Sequence, residues 1–200
     1  DTLEIMVSDF KDDYEGFSLE FIKVCGYESP IDETTYIKNR AKDNVEALYE
    51  NVYAYYKERL NNLGKLAFPF VKNIYEAKSY RYENIAFPIT DGKRMITAIA
   101  PIEKSYNTEG KEISLSVEKS ITLQIIDNAW KEHLRELDDL KQSVQNASYE
   151  QKDPLLIYKF ESFALFEKML GNINKDITSF LCRATLPIAE QQQVKETDLP

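Results

Sequence analysis

The chain contains one histidine, His133, in the run Trp130-Lys131-Glu132-His133-Leu134. A histidine next to a glutamate on a helix invites comparison with zinc peptidases. That chemistry needs a second histidine four positions away to complete the ligand set, and the sequence has none. No metal is expected. A Ser-His-Asp relay has no better support, because nothing singles out a particular serine or aspartate as a partner. The phosphate-cradling pattern G-x-x-x-x-G-K-[ST] is also absent, so the chain is not expected to hold a nucleotide by that route. Glu132, Glu136, Asp138 and Asp139 read as a solvated helix face rather than an acid–base pair. No catalytic residue is expected, and His133 reads as a histidine at the edge of a helical seam.

Binding chemistry is better represented. Tyr149 lies in the polar run Gln145-Asn146-Ala147-Ser148-Tyr149-Glu150-Gln151-Lys152-Asp153-Pro154, between two segments with apolar stripes. An exposed tyrosine offers apolar area with few rotatable bonds, which suits it to gripping a polypeptide. It can equally fold back onto Val144 or Leu155, and the residues alone leave both readings open. The cluster Tyr53-Ala54-Tyr55-Tyr56 reads as part core and part surface. Cys25 and Cys182 are far apart in sequence and lack metal-ligand spacing, so they read as small buried hydrophobes in a reducing compartment.

The segments that position these residues fall into three textures. From Thr2 to about Glu83 the apolar spacing is helical: Leu3, Met6, Val7 and Phe10, then Leu19, Ile22 and Cys25. Tyr27 to Pro30 interrupts it. Asp32 or Thr34 could cap a helix running to about Leu63, with Tyr36, Ile37, Val45, Leu48, Val52, Tyr55 and Tyr56 on its apolar side. Gly64 is expected to end it, and a shorter helix should follow from about Phe70 to Tyr80. Between Asn84 and Leu115 the texture becomes β-like. Ile85–Ile89 and Met95–Ile99 flank Asp91-Gly92, a hairpin signal in which both central residues would take positive φ. Pro88 cannot donate to a ladder and marks an edge strand. A turn at Asn107–Gly110 and a third short strand at Ile113–Leu115 complete the expected insert.

From Ser116 to Arg183 the helical pattern returns. Leu123, Ile126, Trp130, Leu134, Leu137, Leu140 and Val144 form one stripe. Leu156, Phe160, Phe163, Phe166, Leu170, Ile173, Ile177 and Phe180 form another. Each segment of roughly 27 residues makes a rod near 40 Å long. Asp153 can cap the second helix, with Pro154 in its first turn. Two striped helices joined by a short loop are expected to pack antiparallel. The tail from Pro187, with Gln191-Gln192-Gln193, reads as a disordered linker.

Composition sets the limits. The chain has 200 residues, a hydrophobic share of 43%, a charged share of 30% and a net charge of -9. That is a globular balance, and the acidic excess argues against a nucleic-acid partner. No signal segment or membrane-length apolar run is visible, which points to a cytosolic location. The first residue is not Met, so an excised fragment is expected.

Three sequence blocks carry a resemblance. They are Leu123-Gln124-Ile125-Ile126-Asp127-Asn128-Ala129-Trp130-Lys131-Glu132-His133-Leu134, then Tyr149-Glu150-Gln151-Lys152-Asp153-Pro154, then Tyr158-Lys159-Phe160-Glu161-Ser162-Phe163. In order and separation they resemble the SecA family of preprotein-translocating motors, which reads there L-Q-x-L-D-x-x-W-K-E-H-L, Y-x-Q-K-D-P and E-Y-K-R-E-S-F. The close match covers about Ile121 to Ile177.

The resemblance implies a mostly α fragment with three parts. A helical wing spans residues 1–115 with a small β-hairpin insert at about 84–115. The two-helix finger of the helical scaffold domain, a long antiparallel helical hairpin, spans 116–186. A tail covers 187–200. It implies that Tyr149, flanked by Ser148 and Glu150, contacts the translocating polypeptide and the SecY channel. It further implies that Gln151, Lys152, Asp153 and Pro154 shape the tip, while Trp130, His133 and Leu134 are structural. The fragment would need no cofactor, whereas the parent motor would bind ATP and Mg. Its partners would be the SecY channel, unfolded preproteins, the missing motor domains and, through the parent, the cytoplasmic face of the inner membrane; a dimer of the parent is also implied. Two departures stand out: Ser143–Ser148 replaces a Gly-Ile-His-Leu-Arg-Gly-like run, and Phe160 stands where the family often has Arg. The competing expectation is a stand-alone helical coiled-coil adaptor.

Overall fold

A computed structural model describes residues 1–77, 83–147 and 153–187, with the side chains of 145–147 excepted. The chain is mostly helical. Its elements are α1 (Thr2–Asp9), α2 (Tyr14–Cys25), α3 (Glu33–Lys38), α4 (Ala41–Glu76), β1 (Asn84–Thr90), β2 (Met95–Pro101), α5 (Ile102–Asn107), α6 (Lys111–Ala147) and α7 (Pro154–Arg183).

Short polar caps set α2 and α3. The Asp13 carboxylate accepts from Gly16 N at 2.9 Å, and that of Asp32 accepts from Thr35 N at 3.0 Å, so each satisfies an orphan amide of a first turn. Gly26 closes α2 in the left-handed region with φ 84°. Within α2 the buried face is Phe17, Phe21, Val24 and Cys25. Leu19, expected on that face, is 63% exposed, and Ile22 is also exposed. The helix carries apolar residues on more than one side, and the larger phenylalanines fill the core.

The expected single helix from Asp32 to Leu63 is divided at Asn39-Arg40, and α4 then runs without a break through Gly64 and Pro69. Gly64 therefore does not end the helix. A Cβ there would lie 2.4 Å from Ser114 Oγ and 2.7 Å from the Gly110 carbonyl oxygen. The glycine is needed for the close crossing of α4 and the start of α6, and the Ser114 hydroxyl donates to the Leu60 carbonyl at 2.8 Å beside it.

The β insert is the expected antiparallel hairpin, with Asn84 opposite Pro101 and Thr90 opposite Met95. Its turn is longer than a two-residue Asp-Gly turn. Gly92 has a positive φ of 88°, whereas Asp91 does not. Instead, Asp91 Oδ1 accepts from the amides of Lys93 at 2.9 Å and Arg94 at 2.6 Å, and its Oδ2 pairs with Arg94 Nε at 3.0 Å. In β2, Ile96, Ala98 and Ala100 point inward. The expected third strand at Ile113–Leu115 is absent; these residues form the first turns of α6. Ile113 opens a four-residue stripe continued by Val117, Ile121 and Ile125, all buried, and that stripe favours helix. Positive φ at Glu109 and Gly110 lets the chain turn sharply from α5 into α6.

Two apolar clusters result. One joins α4, the hairpin, α5, α6 and the end of α7 around Val71, Ile89, Ile121 and Phe180. The other joins α1 to α4 around Phe17, Phe21 and Leu48, and receives Cys182 from α7.

Two outcomes follow. Gly64→Ala should destabilise the chain by about 1–3 kcal/mol in urea unfolding, although alanine is the better helix former, because the added methyl meets backbone. For Asp91, burial opposes ionisation, but the Arg94 and Lys93 amides and the Arg94 guanidinium outweigh it, and its pKa is lowered. The turn's contribution should therefore be fully present above the ordinary aspartate range of about 4 and lost as pH falls below it. Asp91→Asn should reduce that acid-sensitive part of the stability profile.

Candidate functional site

The α6–α7 hairpin is the dominant feature of the C-terminal half. Helices of 37 and 30 residues make rods of about 55 Å and about 45 Å. They pack against each other within the chain, and Lys168 Nζ meets Glu136 Oε1 across the pair at 3.5 Å. Asp153 caps α7, its Oδ1 accepting from Leu155 N at 3.0 Å and Leu156 N at 3.5 Å, and Pro154 takes the first helical position. Ser148, Tyr149, Glu150, Gln151 and Lys152 lie outside the described residues.

The face that packs inward differs from the stripe read in the sequence. On α6, Ile121, Ile125, His133 and Val144 are buried, while Leu123, Ile126, Trp130 and Leu134 are exposed. On α7, Met169, Ile173 and Phe180 are buried, whereas Leu156, Phe160, Phe163, Phe166 and Leu170 are exposed, Phe160 by 67%. Each helix carries two apolar stripes, and three-to-four spacing does not reveal which of them meets the partner helix. The outcome is a rod with a packed inner seam and a second apolar face on its outside.

His133 belongs to the seam itself. It is 4% exposed, its ring lies 5.7 Å from that of Trp130 and 5.9 Å from that of Phe166, and its Nδ1 has no hydrogen-bond partner among the described residues. A base in a catalytic relay needs an acceptor to orient it, and among the described residues none is bonded to His133. Among the described residues no group of three His, Cys, Asp or Glu could hold a metal ion. Trp130 and Leu134, its neighbours in the motif, face outward.

A second surface was not singled out in the sequence as a site. A groove of about 830 Å³ runs between α1, α4 and α7. Its wall includes Tyr49, Tyr53 and Tyr56, with ring pairs at 5.9 Å and 5.4 Å, and Lys57 Nζ lies over the Tyr53 and Tyr56 rings. The helical spacing of these tyrosines was legible; the α1 and α7 walls are tertiary. Cys182 borders the same groove.

The buried but unpartnered Nδ1 gives a checkable outcome. Leucine should fill the His133 site without the desolvated nitrogen, so His133→Leu is expected to leave stability unchanged or raise it by about 1 kcal/mol in urea unfolding. A loss of several kcal/mol would contradict the absence of a bonded partner.

Residues 4–185 match the family model described as the SecA Wing and Scaffold domain. The chain is 44% identical over 191 residues to the protein translocase subunit SecA of Parabacteroides distasonis, covering 96% of this chain and 17% of that protein. It is 46% identical over 184 residues to that of Phocaeicola vulgatus, covering 92% and 17%. Against that of Christiangramia forsetii it is 42% identical over 185 residues, covering 92% and 16%. The chain thus spans about one sixth of the length of these curated relatives, and no solved structure matches it. With its long hairpin, its small β insert and this match along nearly its whole length, the chain belongs to the SecA family, whose wing and scaffold region it represents.

Proposed function

We propose that this chain acts as a polypeptide-handling lever of a protein-translocating motor, with the tip of the α6–α7 hairpin touching the polypeptide being moved. The observation that carries this reading is the hairpin itself. Two long helices packed along a common seam make a stiff rod, and the residues that join them include Tyr149 in the family motif Tyr149-Glu150-Gln151-Lys152-Asp153-Pro154. A mover of unfolded chains must grip without reading sequence. A tyrosine suits this because its ring offers apolar area against any passing side chain. Ser148 and Glu150 flank the grip, while Gln151, Lys152, Asp153 and Pro154 hold the loop.

Energy in this reading comes from outside the chain. Motor domains elsewhere in the longer protein bind ATP and Mg and displace the hairpin. The wing, here α1 to α5 with its β insert, carries that displacement to the hairpin's base. Partners are unfolded preproteins and the SecY channel at the cytoplasmic face of the inner membrane, where the longer protein is peripheral. Among the described residues no helix is long and apolar enough to cross a membrane. The chain by itself performs no catalysis. The adaptor reading has less support, since α6 and α7 bury their inner seam within one chain instead of offering it to another.

The test is photocrosslinking from position 149 in the full-length protein, engaged with its channel and a stalled preprotein. Crosslinks to preprotein or channel are expected. Tyr149→Ala should depress preprotein transport by tenfold or more, the loss of about 1.4 kcal/mol of grip or greater, with ATP turnover and folding retained. Normal transport by that variant would overturn the gripping role.

A further inference from the structure

Cys25 and Cys182, the chain's only cysteines, are brought together by the fold. Cys25 is the last residue of α2, and Cys182 lies in the final turn of α7. Both are buried in the cluster that contains Phe21 and Leu48, and the residues that follow them touch, the Arg183 side chain lying over Gly26. The junction around them is tightly fixed. The Arg183 guanidinium donates to the Ile22 carbonyl at 2.8 Å and also to that of Lys23, joining the end of α7 to the end of α2.

We propose that Cys25 and Cys182 are a redox-modifiable pair, which a peroxide converts to an intramolecular disulfide that locks α2 to the end of α7. Three features support it. Both residues stand at helix ends that the Arg183 hydrogen bonds hold side by side, and a disulfide needs such close approach of its two backbones. Cys182 borders the groove of about 830 Å³ between α1, α4 and α7, which gives a small oxidant a route to its sulfur. The roles of the two thiols are also unequal. The Arg59 and Arg183 charges favour ionisation of the Cys182 thiol. The neighbouring Cys182 thiol, with burial, pushes the Cys25 thiol well up. Cys182 borders the groove whereas Cys25 is fully buried and does not, so Cys182 is the nucleophile and Cys25 the resolving thiol.

The chemistry balances as follows. The Cys182 thiolate attacks one oxygen of hydrogen peroxide, an S–O bond forms, the O–O bond breaks, and the departing hydroxide takes up the proton lost from the thiol. Cys25 sulfur then attacks the Cys182 sulfenic acid; the S–S bond forms, the S–O bond breaks, and the hydroxide leaves as water with the Cys25 proton. Two electrons pass from the pair to one peroxide, giving one disulfide and two waters.

The test treats the intact, natively folded protein with hydrogen peroxide, blocks residual thiols with N-ethylmaleimide and maps the unreduced digest by mass spectrometry. Expected is a cross-linked peptide joining Cys25 to Cys182. Both residues should be lost from the alkylated pool in step and be recovered with dithiothreitol. In Cys25→Ser, Cys182 should be trapped by dimedone as the sulfenic acid. The proposal is overturned if both cysteines remain fully alkylatable after a dose that consumes free glutathione in the same tube. It is equally overturned if Cys182 advances to sulfinic acid while Cys25 stays free.

Discussion

Helix ends leave carbonyls without intrahelical partners, and when such an end is packed inside a protein those carbonyls need donors. In this chain the end of α7 meets that constraint at the point where most other elements converge. Arg59 of α4 donates from Nε to the Ala184 carbonyl and from Nη2 to the Arg183 carbonyl, each at 3.1 Å. Arg183 in turn donates to the last carbonyls of α2. Thr185 exchanges a pair of backbone hydrogen bonds with Thr90 at 2.9 Å, which ties β1 to the same segment. Phe180 and Leu181 enter one core and Cys182 the other. Guanidinium groups suit this task because a planar fork can reach two carbonyls at once and also complements the negative end of a helix dipole.

The hairpin depends on that anchorage. A rod of two long helices transmits displacement only if its base is fixed, and the base here is held by α4, by the β insert and by α2. Arg94 shows how closely the insert is integrated. It pairs with Asp91 inside its own turn and with Asp176 of α7 at 3.0 Å, while its guanidinium lies 5.5 Å from the Phe180 ring centroid. The β insert, which had no assigned role in the sequence, is thereby a brace against the base of α7. Its inward residues Ile89, Ile96 and Ala98 complete the core that α6 and α7 begin.

The outer apolar face of the hairpin and the tyrosine-lined groove both hold aromatic and aliphatic groups on rigid helices, and the groove adds charged groups, Glu4, Lys42 and Glu46, to its wall. Such surfaces tolerate varied contacts. The relatives are several times longer than this chain, so a family member has ample further chain to meet these faces.

Residue spacing alone disclosed the helical class, the β-hairpin at Ile85–Ile99, the cap at Asp153, a cap at Asp32 or Thr34, and the long C-terminal hairpin. These are local matters of capping, turn chemistry and period, which neighbouring residues decide. The motif blocks around Trp130 and Pro154 further pointed to the family. What sequence could not decide was which of two apolar stripes on α2, α6 and α7 faces inward, since a period defines a stripe but not its partner. It could not show that Gly64 serves a helix crossing rather than a helix end, because the reason lies in Gly110 and Ser114 on another element. The burial of His133 between the Trp130 and Phe166 rings and the meeting of Cys25 with Cys182 are likewise tertiary. Each depends on side chains from distant segments arriving at one place, and local periodicity carries no information about that.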